Sequence, residues 1–210
     1  MKKKGISLLL SLFAFCFLRA ETKTNSVSDS LFLEGKIKYL TGDYTQAIKD
    51  FSAVLQFNPR HTESRLLKAT AEYNLKMFDA AATDFGKLVE QDSKNFIAWN
   101  MLACSEDKQN KIKEATKHFK KSIALNPAYI EAYLNRGLME RRLKQSDKAI
   151  ADFSAMLTIQ PRCENAFYQR GWTKYEKGDS AGACADWTHI EDPDDFENSE
   201  KMSSICKENK

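Results

Sequence analysis

The chain has 210 residues, 42% of them hydrophobic and 29% charged, with a formal net charge of +3. That composition excludes a collagen-like, low-complexity or wholly disordered chain. Lys2, Lys3, Lys4 and Arg19 account for the positive excess, so the rest is nearly balanced and offers no basic footprint for nucleic acid.

The amino terminus reads differently from everything after it. Lys2-Lys3-Lys4 precedes an apolar run from Ile6 to Leu18, which ends in Arg19-Ala20-Glu21. A basic start, a short apolar stretch and a small residue behind it is the layout of a secretory signal peptide. The run is too short to span a bilayer comfortably, and it lacks the polar face of a buried helix. We expect residues 1–20 to be a signal peptide cleaved after Ala20, residues 21–27 to be a polar linker, and the mature chain to have no transmembrane helix. The protein is then exported, to the periplasm, the outer cell envelope or the medium. Leu12-Phe13-Ala14-Phe15-Cys16 weakly resembles a lipidation site, but bulky Phe15 stands where a small residue is needed, so a lipid anchor at Cys16 is not expected.

From there on the chain is periodic. Phe51, Phe85, Phe119, Phe153 and Trp187 follow one another at intervals of 34 residues. Ala47, Ala81, Ala115, Ala149 and Ala183 stand four residues before them, and Gly35, Ala69, Ala103, Gly137 and Gly171 keep the same step. Pro59, Pro127 and Pro161 form a partial ladder, with Ser93 and Asp195 in the same slot. Four ladders in phase mark stacked units that cannot bury their faces alone. The pattern predicts a pair of helices per unit. A glycine within a helix costs about 1 kcal/mol against alanine, which is tolerable where a neighbouring helix must come close. The alanine and the aromatic four residues later share one face of the second helix, and proline stops that helix.

Gly171, Tyr175, Gly178-Asp179, Ala183 and Trp187 in one copy, and Gly35, Tyr39, Gly42-Asp43-Tyr44, Ala47, Phe51 and Pro59 in another, resemble the tetratricopeptide repeat family. The resemblance implies an all-α fold. It would be a right-handed α-solenoid of five helical hairpins over 28–61, 62–95, 96–129, 130–163 and 164–195, with a C-terminal capping helix over 196–210. It also implies a non-enzymatic scaffold or adaptor that binds a protein or peptide segment in a concave groove, although fold alone does not fix function. In the third unit Ser122 replaces Val54, Leu88, Met156 and Ile190 of the others, and Asn110 and Ile112 replace the Gly-Asp-Tyr turn. The least stable interface is expected there, unless Trp99, Leu102 and Leu125 compensate.

In the family, three positions of each first helix face the groove. Here they place Phe32, Lys36 and Tyr39, Leu66 and Tyr73, Asn100, Arg141, and Tyr168, Trp172 and Tyr175 as the candidate partner-binding residues. Tyr73, Asn100, Arg141 and Trp172 are expected to be exposed. Asn135 is the one residue that fits the carboxylate-clamping set of chaperone adaptors in this family. The cations of that set are missing, so the clamp is not expected. Two other functions remain open. One is a receptor for glycan such as peptidoglycan fragments, with Tyr168, Trp172 and Tyr175 facing sugar rings. The other is a structural accessory subunit of an envelope complex.

Cys104, Cys163, Cys184 and Cys206 lie beyond the expected leader, and an even number in an exported chain invites disulfides. Four cysteines allow three pairings, and free thiols are the alternative. On the family pattern Cys184 falls on the last second helix and Cys206 in the capping tail, which favours Cys184–Cys206. That link would staple a polar cap of Glu197, Glu200, Lys201, Lys207 and Glu208. His61, His118 and His189 have no metal-ligand spacing, and no catalytic constellation is evident, so neither metal nor cofactor is expected. Asp50, Asp84, Asp152 and Asp186 recur just before the aromatic ladder, with His118 in the third slot, and read as a solvated face.

Overall fold

The structure, a computed structural model, describes residues 27–208. The expected leader over 1–20, Cys16 and most of the expected linker lie outside these residues. The described residues form helices and turns without strands, and no helix among them is long and apolar enough to cross a membrane. The chain divides between Ser93 and Lys94 into two compact units. The first holds two hairpins, α1 (27–40) with α2 (Tyr44–Phe57) and α3 (Thr62–Asn74) with α4 (Phe78–Gln91). The second holds three: α5 (Phe96–Lys108) with α6 (Ile112–Leu125), α7 (Ile130–Arg142) with α8 (Ser146–Ile159), and α9 (Glu164–Glu176) with α10 (Ser180–Trp187). A 3-10 turn at Pro193–Asp195 then leads to the capping helix α11 (Ser199–Glu208). This is the all-α hairpin architecture that the ladders predict.

The ladders meet inside each hairpin. Phe51, Phe85, Phe119 and Phe153 are fully buried, each contributing about 2–3 kcal/mol of apolar burial. The small residue of the first helix lies against the aromatic of the second. A Cβ on Gly137 would fall 2.7 Å from the Phe153 ring, and one on Gly35 2.9 Å from Phe51. Between the two helices of each hairpin the chain turns through a left-handed residue: Gly42, Lys76, Asn110, Lys144 and Gly178, with φ of 83°, 61°, 61°, 58° and 95°. Asn110, irregular in sequence, adopts the same conformation as its counterparts, which asparagine tolerates better than most residues. Side chains cap several helices: Asp43, His61, Asn95 and Asp179 accept from the backbone N–H three residues on. Ser122 is fully buried, and its hydroxyl donates to the Phe96 carbonyl at 2.8 Å, so its polarity is satisfied.

The aspartate ladder is not a solvated face. Asp84, Asp152 and Asp186 are 5%, 4% and 3% exposed. Each lies at the seam of its hairpin and pairs with cations on the preceding helix. Arg136 grips Asp152 with two hydrogen bonds of 2.7 and 2.6 Å, and Arg170 grips Asp186 at 2.9 and 2.6 Å. Asp84 takes Arg65 at 2.9 Å and also Lys68, while Asp50 takes Lys38 at 2.6 Å. Burial alone would raise the Asp84 carboxyl, but the Lys68 hydrogen bond, with the charges of Lys68, Lys87 and Arg65, holds it below its ordinary value. The sequence period shows where these carboxylates recur. It does not show that a cation sixteen residues earlier makes burial affordable.

A candidate partner pocket between α7, α9 and the capping segment

Helical spacing puts Tyr168, Trp172 and Glu176 on one face of α9, four residues apart. Arg141, in the last turn of α7, reaches across to them. Its Nε and Nη2 donate to Glu176 at 3.0 and 2.6 Å, and its Nη1 donates to Gln169 Oε1 at 3.0 Å. These Arg141 hydrogen bonds hold the Glu176 carboxyl below its ordinary value against the opposing effect of burial, and the charges of Arg141, Lys144 and Lys201 add to the effect.

The opposite wall comes from the capping segment. Met202 and Ile205 of α11 are buried with Trp187 and Ile190. Tyr168 stacks on Phe196 with ring centroids 4.7 Å apart, and its hydroxyl donates to the Glu197 carbonyl at 2.8 Å. Cys184 on α10 and Cys206 on α11 have Cα atoms 5.5 Å apart with their sulfurs at bonding distance, within the range a disulfide spans. So docked, α11 places Lys201 Nζ 5.4 Å from the Trp172 ring centroid and 5.9 Å from that of Tyr175, a cation–π arrangement. The pocket has a volume of about 340 Å³ and is walled by Arg141, Tyr168, Gln169, Trp172, Glu176, Glu197, Asn198 and Lys201. A second cleft of about 260 Å³, formed by Leu138, Arg141, Arg142, Lys144 and Glu176, shares the Arg141–Glu176 pair. The walls hold donors, acceptors and aromatic carbon, which suits recognition of a polar chain.

Three of the residues expected to bind a partner, Arg141, Tyr168 and Trp172, come together here, and Tyr175 packs behind Trp172 with ring centroids 5.8 Å apart. Two expectations of exposure are corrected. Trp172 is 6% exposed because Trp187, Tyr168, Tyr175 and Lys201 enclose its ring. Asn100 is 1% exposed because it sits between α5 and α7, where its Oδ1 accepts from Asn135 Nδ2 at 3.2 Å. Asn100 also bonds Tyr129, whose hydroxyl pKa burial pushes up to about 12. Buried Asn100 and half-buried Asn135 therefore form a polar pair away from the pocket.

The remaining candidates belong to the first unit. Phe32 lies against His61 and Phe51, with Lys36 above its ring and paired to Glu63 at 3.1 Å. Tyr39 meets Tyr44 edge-on, Tyr73 meets Phe78 edge-on, and Leu66 is half-buried. The histidines have packing roles. His61 caps α3, His118 bonds Glu106, and His189 stacks on Phe167 with centroids 4.4 Å apart. Gln169, Glu176, Glu197, Asn198 and Lys201 were not anticipated in the pocket. The signal for Lys201 was present: it precedes Ile205 by four residues and so flanks the buried stripe of α11.

The sequence profile described as tetratricopeptide repeat matches residues 32–96 and 100–162. The mitochondrial import receptor subunit TOM70 of Mus musculus is 23% identical over 159 residues, covering 72% of this chain and 26% of that protein. This chain thus spans about a quarter of the length of that curated relative. Among solved structures, MamA superposes with a TM-score of 0.69 at 23% identity, covering 79% of this chain and 90% of that one. TTC0263, a thermophilic repeat protein of Thermus thermophilus, superposes at 0.65 and 20% identity, covering 85% and 98%. At these identities the likeness to solved structures is one of fold.

Proposed function

Because this chain belongs to the tetratricopeptide repeat family, we propose that it is a non-enzymatic scaffold or adaptor that binds a protein or peptide segment on its first-helix faces. The observation that carries this reading is the pocket at Arg141. Paired charges, an amide and aromatic edges converge on a concavity fit for a polypeptide. The relative TOM70 is named as an import receptor subunit, a role in keeping with that reading. The proposal includes export to the periplasm, the outer envelope or the medium, on the strength of the leader-like residues 1–20. It also includes a Cys184–Cys206 disulfide that holds α11 as a wall of the pocket. Against the glycan alternative stands the burial of Trp172, which carries Lys201 over its ring.

Photo-crosslinking in the source cells tests the reading, with one probe replacing Leu138, in the cleft beside Arg141, and another replacing exposed Ala151 on α8. A discrete protein adduct from the Leu138 probe alone is expected. Adducts from the Ala151 probe alone would favour a structural accessory that docks through its outer helices. Adducts from neither would end the protein-binding reading.

A further inference from the structure

We propose that the two clefts meeting at the Arg141–Glu176 pair dock an acidic, extended segment of a partner protein. The proposal rests on the protein-binding reading above and narrows it to a chemical class of partner.

The charge around the clefts is unbalanced. Arg141, Arg142, Lys144 and Lys201 face them, against Glu176 and Glu197. Arg142 is engaged by Asp107, and Arg141 by Glu176. Lys144 and Lys201 have no carboxylate at ion-pair distance among the described residues. They line different clefts that share the Arg141–Glu176 pair, so a segment crossing both would meet a cation in each. Lys201 is not a loosely tethered surface lysine. It is held over the Trp172 and Tyr175 rings by a helix that buries Met202 and Ile205. A placed cation loses less freedom when it binds an anion than a mobile one. Lys144 is the exposed left-handed residue of the turn between α7 and α8, φ 58°.

Glu176 decides between classes of polyanion. A phosphodiester chain crossing the clefts would carry its charge over this carboxylate. A peptide would bring backbone N–H donors for Glu176 to accept, with carboxylates reserved for the lysines on each side. Both aromatic walls that could stack a base are engaged, Trp172 beneath Lys201 and Tyr168 against Phe196. No free C-terminus is required, because the contacts lie along the segment.

The experiment uses the full-length chain and fluorescein-labelled hexaglutamate, acetylated and amidated at its ends, followed by anisotropy at low salt. Hexalysine and an oligothymidylate are the comparison probes. Saturable binding of hexaglutamate is expected, equal with a free or an amidated C-terminus. Lys144→Gln and Lys201→Gln should each weaken it about three-fold and together about ten-fold, the scale of exposed charge pairs. Lys113→Gln on α6 should leave it unchanged. Glu176→Gln should strengthen it, a gain that a misfolded variant would not give. No binding, tighter binding of hexalysine, or indifference to the double lysine change would overturn the proposal. So would an oligothymidylate that binds more tightly with the same lysine dependence, since the site would then take nucleic acid. A Leu138 adduct together with any of these results removes the acidic segment alone. Absence of every adduct removes the underlying reading as well.

Discussion

His118 Nδ1 lies 2.7 Å from Glu106 Oε2, and the pair is the inverse of those at the same two positions of the first and last hairpins, Lys38–Asp50 and Lys174–Asp186. A carboxylate only accepts, so the proton of this bond sits on Nδ1. The acid has moved to the first helix, and the donor to the second.

A charge swap of this kind predicts coupled substitutions. His118→Asp sets two carboxylates face to face and should cost about 2 kcal/mol. Glu106→Lys leaves a lysine facing a histidine and should also destabilise. The double substitution recreates the Lys–Asp pair of the first and last hairpins and should recover most of the loss. Urea unfolding followed by far-ultraviolet circular dichroism measures the cycle. Additive losses would show that the two side chains do not interact.

The small-residue ladder predicts a graded response. Gly137→Ala pushes a methyl group toward the Phe153 ring, while Gly171→Ala pushes one still closer to the bulkier Trp187 indole. Hairpins two and three already hold Ala69 and Ala103 opposite phenylalanine, both fully buried. Gly137→Ala should therefore be mild, under about 1 kcal/mol, and Gly171→Ala should cost about 1–3 kcal/mol by overpacking. Thermal unfolding of the two variants compares them directly; equal costs would contradict the packing described.

Burial pushes the Cys104 thiol up to about 12, with Asp107 adding to the shift. Thiolate is the reactive form, so Cys104 should resist alkylation in the folded chain at mildly alkaline pH. Cys163 is half-exposed and should react. Mass spectrometry after brief iodoacetamide treatment, with and without denaturant, reads the difference. Equal labelling of both in the folded chain would mean that α5 is not packed as described.

Burial, and then the Asp152 charge, hold the Glu140 carboxyl above its ordinary 4.5. A carboxyl whose folded pKa is raised binds its proton more tightly folded than unfolded, so its ionised form opposes folding at neutral pH. Glu140→Gln should therefore raise stability at pH 7. The gain should shrink as pH falls and vanish below 4.5, where the carboxyl is protonated in both states. Urea midpoints across this range test it, and a gain that grows toward acid would show that the sign is wrong.

Periodicity made the hairpins legible because their core contacts lie at fixed intervals. Phe51 on Gly35 and Phe153 on Gly137 repeat the same geometry sixteen residues apart. The Asp152–Arg136 seam has that separation too, and Lys68, Arg136 and Arg170 keep the repeat step, but Glu34 and Leu102 in the same slot break that ladder. The pocket was half legible. Arg141, Tyr168 and Trp172 follow from position within the unit, but the exposure of Trp172 did not, because it depends on where the aperiodic tail returns. Lys201 covers that ring from a segment to which the repeat does not extend.

The tryptophans are unevenly placed. Trp99, Trp172 and Trp187 all belong to the second unit, whereas the described part of the first has only Tyr39, Tyr44 and Tyr73 as phenolic chromophores and no indole. Red-edge excitation therefore sees one unit and leaves the other dark. Within the lit unit, Trp172 and Trp187 stand 5.0 Å apart with ring planes at 56°, close enough and skewed enough for their transitions to couple into a paired near-ultraviolet dichroic band. That band should report on the docking of α9 against α10, so melting of the last hairpin can be watched separately from melting of the first two.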